Sequence, residues 1–371
     1  MKVKIRNALF SDFDAVGALK KRNGLDVVWS ESRWLFLWSE NPVFQSIEAW
    51  PIGWVLETEE KIVGYLGNIP LRYWCQSKPL LVAASRGFAV DPEYREHTLK
   101  LIAAFYSQKT PSILLSTTAN KVAAKVYKLA RSEPLPYADY DESLFWVTSS
   151  VGFLSATFKH LGAPSIVARI AAFLAQPVLS IWLKLRGHGP RYRQWAGELT
   201  ILRVDEIGSE FDELWQRRQV ELSQTLLADR SSASLRWHFG HSGAMARQAQ
   251  ILVARQNESL VGYIVLTRVD SQAIGLKRYC VADLFVESDA PEVIDALLEL
   301  AYTTARKNGI HMVEWVGFPE RVRTRFTATA PLMRKLSSCP FWYKAIHLEN
   351  LPNLDLPEAW YASLFDGDGS L

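Results

Sequence analysis

Apolar and polar residues alternate from Lys2 to Arg6, and an acidic stretch with apolar residues at helical spacing follows from Asp12 to Lys21. The first pattern predicts a half-buried strand and the second an amphipathic helix. The same pair recurs at Glu198 to Arg203 and Glu210 to Leu222. Each pair leads through a tryptophan-rich stretch to two apolar runs joined by a polar tip. In one half these are Trp54-Val55-Leu56-Glu57, Glu59-Glu60-Lys61 and Ile62-Val63-Gly64-Tyr65. In the other they are Ile251-Leu252-Val253-Ala254, Gln256-Asn257-Glu258 and Leu260-Val261-Gly262-Tyr263. Both predict β-hairpins. A strand (Ser85 to Val90; Tyr279 to Val286), a helix (Pro92 to Tyr106; Pro291 to Lys307) and a buried strand (Ser112 to Thr117; His311 to Val316) come next. Each half then closes with one more helix and a strand.

The two halves are a duplication. Phe13-Asp14 and Phe211-Asp212, Val63-Gly64-Tyr65 and Val261-Gly262-Tyr263, and Asp91 and Asp289 all stand 198 residues apart. The register slips by one residue between Trp38 and Trp237. The order β-α-(α)-β-β-β-α-β-α-β predicts two tandem domains of one mixed α/β (α+β) type. They divide the chain into residues 1–150 and 196–350, with a helical linker at 151–195 and a tail at 351–371.

The linker has its own pattern. From Ala163 to Leu183 the only charge is Arg169; Lys159 and His160 precede this run, and Lys184, Arg186, His188, Arg191 and Arg193 follow it. A membrane span needs about 20 apolar residues, so the run is borderline. Pro164 suits a helix start, and Pro177 predicts a kink. Three readings stand: two short helices packed between the domains, an interfacial helix with basic flanks, or a span. The second gives a peripheral membrane contact through 163–193.

Composition narrows the classes. Lys and Arg number 42 against 39 Asp and Glu over 371 residues, a net charge of +3, too weak to predict nucleic-acid binding. Apolar residues at 49% and charged residues at 22% are those of a globular chain. Cys75, Cys280 and Cys339 form no CxxC and predict no disulfide framework. Of seven histidines only His238 and His241 are close, so no metal site is expected. The opening MKVKIRNALF lacks an apolar signal core, which predicts a cytoplasmic protein.

Four motifs carry a resemblance. They are Ile5-Arg6-Asn7-Ala8 with Asp12-Phe13-Asp14, the strand Ile62-Val63-Gly64-Tyr65, the junction Phe88-Ala89-Val90-Asp91-Pro92-Glu93-Tyr94-Arg95, and Asn120-Lys121-Val122-Ala123-Ala124-Lys125-Val126-Tyr127. Together they resemble the GNAT acyltransferase superfamily, over about residues 3 to 147 and more weakly over 198 to 347. The resemblance implies acetyl-CoA or another acyl-CoA as co-substrate and direct acyl transfer from the thioester to an amine. It implies acyl-CoA contacts at Phe88, Ala89, Val90, Arg95, His97, Thr98, Leu99, Asn120 and Ala123, and a general acid at Tyr127. A strand that leaves its neighbour bares N–H groups to which a pantetheine amide can add. The helix after Pro92 offers its N-terminus to a pyrophosphate. The chain departs from the family's glycine-rich loop, reading Arg95-Glu96-His97-Thr98-Leu99-Lys100 with Thr98 and Lys100 at the small positions. In the second half Glu287, Asp289 and Glu292 crowd the helix start and oppose a pyrophosphate, and no Asn-x-x-Ala-x-x-x-Tyr follows. That half is expected to shape an acceptor cleft or to support the first.

Each chemical candidate has a plainer alternative. Tyr127 is an acid for the leaving thiolate or a core aromatic; Asn120 is a cofactor contact or a helix cap. Asp283, among Val281 and Leu284, is a buried base or a structural hydrogen-bond acceptor. His97 and His238 line a site or sit on the surface or in the core. Trp29, Trp34, Trp38, Trp50 and Trp54 fill the core or stack on a bulky acceptor such as a sugar nucleotide or glycan precursor. The functions that follow are an N-acyltransferase for an amino-sugar or similar small amine, a Fem-type aminoacyl transferase, or a non-catalytic binding protein at a membrane surface.

Overall fold

A computed structural model describes residues 3–25, 30–119, 121–191, 199–240, 249–336, 339–347, 349 and 351–371. The first half contains β1 (Lys4–Asn7), α1 (Phe13–Arg22), α2 (Glu31–Ser39), β2 (Gly53–Glu57), β3 (Ile62–Cys75), β4 (Lys78–Val90), α3 (Thr98–Tyr106), β5 (Ile113–Ser116), α4 (Lys121–Leu129), β6 (Glu133–Pro134) and β7 (Glu142–Val147). A helical hairpin follows, α5 (Ser150–His160) and α6 (Ser165–Leu185). The second half has β8 (Leu199–Val204), α7 (Glu210–Glu221), β9 (Leu227–Ala228), α8 (Ser232–Phe239), β10 (Gln250–Gln256), β11 (Ser259–Arg268), β12 (Arg278–Val286) and α9 (Pro291–Lys307). It ends with β13 (Met312–Val316), α10 (Glu320–Thr327), β14 (Leu332–Lys335) and β15 (Trp342–Ala345).

Two mixed sheets result. One runs β1-β2-β3-β4-β5-β15-β6, with β9 also on β3; the other runs β14-β7-β13-β12-β11-β10-β8. The halves exchange their closing strands. β7 pairs antiparallel with β13 and β14, and β15 pairs antiparallel with β5 and β6. The sheets therefore do not part at residue 150 as the sequence order suggested: each takes an interior strand from the other half. β7 carries an unbroken apolar run, Leu144-Phe145-Trp146-Val147, and β15 is only four residues long, Trp342–Ala345, so neither local pattern names its partner sheet.

The amphipathic elements form where the periodicity places them. α9 starts on Pro291 and buries Val293, Ile294, Leu297, Leu298, Ala301 and Ala305, an i, i+4 stripe along one face. The tip of the β10–β11 hairpin has Asn257 and Glu258 at positive φ, as a two-residue turn with the right twist requires. One repeat match is corrected. Arg22 holds Asp91 and the Ile62 carbonyl, while Arg217 holds Glu287 and the Leu260 carbonyl in the same pattern. Glu287, not Asp289, is thus the counterpart of Asp91; Asp289 pairs with Arg218 and Arg321.

Candidate active site

β4 and β5 run parallel for only three pairs, Val82↔Ile113, Ala83↔Leu114 and Ala84↔Leu115. β4 continues to Val90, held on its other side by β3. Tyr65 faces Ala89 while Gly67 faces Arg86, so β4 carries one extra residue there. Gly87 lies in this bulge at φ +66°, a conformation that favours glycine. A bulge bends its strand, and this one steers β4 away from β5. The central pair of the sheet opens into a fork from Ser85 onward.

Hydroxyls line the base of the fork. Ser85, the residue after the last ladder pair, and Ser116, the last of β5, place their Oγ atoms 2.5 Å apart. The Tyr127 phenol, from α4, lies near both, and the Tyr106 ring of α3 packs against Tyr127 with ring centres 6.2 Å apart. Tyr127 is buried, and burial raises its pKa above the ordinary tyrosine value against the opposing pull of the two serines. It stays protonated at neutral pH and is a hydrogen donor at the fork.

The opposite face of the sheet is cationic. Successive strand residues point to opposite faces, so Arg86 faces away from Ser85, toward α1 and α2. Its guanidinium donates to the main-chain oxygens of Asp368 (3.0 Å) and Leu371 (2.7 Å) and lies 3.5 Å from the Asp368 carboxylate. Asp368 accepts from Thr117 (2.9 Å) and Thr118 (3.2 Å), just past the end of β5. Lys20, on α1, brings its Nζ beside Gly87 and 5.3 Å from the Tyr65 ring centre. Burial, then the charges of Arg86 and Arg33, push the Lys20 ammonium down to about 7; Asp368 opposes them. Arg33 is lowered by burial and by Arg86.

The remaining expected contacts are spread along the same edge. Phe88, half-buried, and Ala89 and Val90, buried, form the far arm of β4. The helix expected from Pro92 begins instead as a 3-10 stretch, Pro92–His97, and α3 proper starts at Thr98. Its N-terminal turn is therefore built by His97, Thr98 and Leu99. Arg95 and Leu99 are exposed, His97 lies 3.4 Å from Glu96, and Lys100 donates to the Val3 carbonyl. Ala123 packs half-buried on α4. Asn120 lies outside the described residues.

The second sheet forks at the same place and is filled. β12 pairs with β13 from Arg278↔Met312 to Cys280↔Glu314 and then runs on to Val286. Into that opening comes the segment 360–363. Tyr361 donates to the Leu284 carbonyl (2.7 Å), Ser363 to that of Ala282 (3.3 Å), and the Phe318 N–H donates to Ala362 (2.8 Å). Asp283 is saturated: Arg230 grips it with two bonds of 2.9 and 3.0 Å, and Tyr263 (2.9 Å) and Ser363 (3.2 Å) donate as well. Both partners of the ion pair are fully buried. Asp283 is a structural anchor with its lone pairs in use, which corrects its expected role as a base.

Other candidates resolve into the core. Trp34, Trp38, Trp50 and Trp54 are all buried, and Trp38 and Trp50 donate to the same Asn68 carbonyl at 2.9 and 3.0 Å. Trp29 lies outside the described residues. His238 is buried against Phe365 with Ser370 on its Nδ1 (2.7 Å); burial and the nearby arginines lower it to about 3, so it is neutral. Sequence reasoning missed Ser85, Ser116, Lys20, Arg86 and the buried segment 359–371. One signal was legible: Gly87 alone inside a strand marks a bulge.

The fold as a whole superposes on known structures. The chain has a GNAT-like fold. It superposes on a GCN5-related N-acetyltransferase from Anabaena variabilis at a TM-score of 0.58 and 15% identity, covering 94% of this chain and 74% of that one. A GCN5-related N-acetyltransferase from Kribbella flavida gives 0.54 at 12% identity, covering 94% and 72%. Saccharomyces cerevisiae N-myristoyltransferase with bound myristoyl-CoA gives 0.55 at 10% identity, covering 93% and 79%. No protein-family model and no curated protein matches the sequence.

Proposed function

We propose that the chain is an N-acyltransferase that takes its acyl group from acyl-CoA at the fork of the first sheet. The observation that carries this reading is that β4 leaves β5 after Ala84 with a protonated Tyr127 at the point of divergence. The pantetheine would lie along Phe88 to Val90, adding to the free edge of β4. The acceptor amine would enter from the α1 and α2 face. Its nitrogen lone pair bonds to the thioester carbonyl carbon, the C–S bond breaks, and the thiolate takes the Tyr127 proton. The surplus ammonium proton leaves on the cationic face, where Lys20, with a pKa of about 7, is in part neutral and able to accept it.

The buried tryptophans offer no open ring to a sugar, so they do not support a neutral amino-sugar acceptor. A thermal-shift panel of acyl-CoA esters tests the donor site, because a ligand that binds only the folded state raises the melting temperature. At least one ester is expected to raise it in the wild type and not in Ser85→Phe, which fills the base of the fork. No shift with any ester overturns the proposal.

A further inference from the structure

The linker helices display an outward stripe of the wrong polarity for water. α6 is continuous over 21 residues through Pro177 and pairs with α5 as a hairpin, Ser150 Oγ meeting Ser180 Oγ at 3.0 Å. Its inward positions are small or sit in the body: Ala168 and Ala172 are fully buried, and Leu183 packs with Phe145, Val147 and Met312. Its outward positions are Ile166, Ile170, Phe173, Leu174, Val178 and Ile181, between 58 and 73% exposed. Surface helices of soluble proteins turn their polar side outward; this one inverts that rule over its length.

The charge around the stripe has one sign. From residue 143 to residue 197 the sequence contains six Lys and Arg and no Asp or Glu. Arg169 and Lys184 are exposed on α6, and Arg186 stacks at 5.5 Å over Trp182 near the helix end. Long basic side chains beside an apolar stripe, with an interfacial tryptophan, match a bilayer surface that is apolar below and anionic at its headgroups. By length and composition α6 could cross a bilayer. Yet one side of it is covered by α5 and by the second sheet, so it is built to lie on a membrane with the other side immersed.

We propose that the α5–α6 hairpin seats the protein on anionic membranes, with the Ile166–Ile181 stripe in the acyl boundary and Arg169, Lys184 and Arg186 at the headgroups. This does not depend on the acyltransferase reading. The test is flotation of the full chain with vesicles of phosphatidylcholine alone and of phosphatidylcholine mixed with phosphatidylglycerol. The wild type is expected to float with the mixed vesicles, more weakly with the neutral ones, and less as salt rises. Ile170→Ser/Phe173→Ser/Leu174→Ser, three exposed sites, should keep its melting temperature and lose at least about tenfold in binding. No flotation of the wild type, or equal flotation of the triple variant, overturns the proposal. So does a wild-type dimer that ignores vesicles and that the triple variant turns into monomer, which would make a second copy the occupant.

Discussion

The two sheets fork alike and differ in what enters the fork. In the first, β4 parts from β5 after three pairs, and Ser85, Ser116 and Tyr127 meet at its base. In the second, β12 parts from β13 after three pairs; Tyr361 and Ser363 donate to its carbonyls, and the Ala362 carbonyl accepts from Phe318 in the loop after β13. A buried backbone must find partners. The second fork finds them within the chain, whereas in the first β4 makes no ladder with β5 beyond Ala84 and the two strands are bridged on one face by Arg86, Asp368 and Thr117. The two forks are alike in their pairing, and the second is part of the core.

The largest effect should come from loosening what locks the filled fork. Arg230→Met leaves Asp283 charged, buried and without its counter-ion, and breaking such a pair costs about 3–5 kcal/mol. Urea unfolding should show a loss of that size. Stability within about 1 kcal/mol of wild type would mean that the pair does not hold the plug.

In the open fork the next change is catalytic. Tyr127→Phe removes the donor and leaves the Ser85–Ser116 bond in place. We expect kcat to fall by about a hundredfold with little change in the KM for acyl-CoA. The matching cut in the filled fork, Tyr361→Phe, strands the Leu284 carbonyl and should cost about 1–3 kcal/mol of stability. It should leave kcat alone. Reversal of the two outcomes would exchange the roles assigned to the forks.

These contrasts also measure what was legible in the sequence. The hairpins and α9 follow from local periodicity, and the structure has them there. The exchange of β7 and β15 does not follow, because strand partners are chosen by contacts far apart in sequence. Asp283 looked like a base because an acid among Val281, Ala282 and Leu284 demands a partner; that partner, Arg230, stands 53 residues away. Residues 351–371 read as a tail, yet Asp366 and Asp368 near its end are buried on Tyr73 and Thr117. Polar composition marks a tail only when no prepared partners await it.

A further effect is a pH dependence centred on Lys20. Lys20 is held near 7 when folded, chiefly by burial, and returns to its ordinary value near 10.5 when unfolded. Between these values the unfolded chain binds the extra proton, so the Lys20 contribution to stability rises with pH, by at most about 1.4 kcal/mol per unit. Below pH 7 both states are charged and the fold bears the full cost of the buried ammonium. Lys20→Met should therefore stabilise the protein most at pH 6 and progressively less toward pH 9, read by unfolding in urea. The filled fork has no such dependence there, because Arg230 stays charged in both states. A constant difference between Lys20→Met and wild type across that range would place Lys20 in water rather than against Gly87, and would remove it as the proton acceptor.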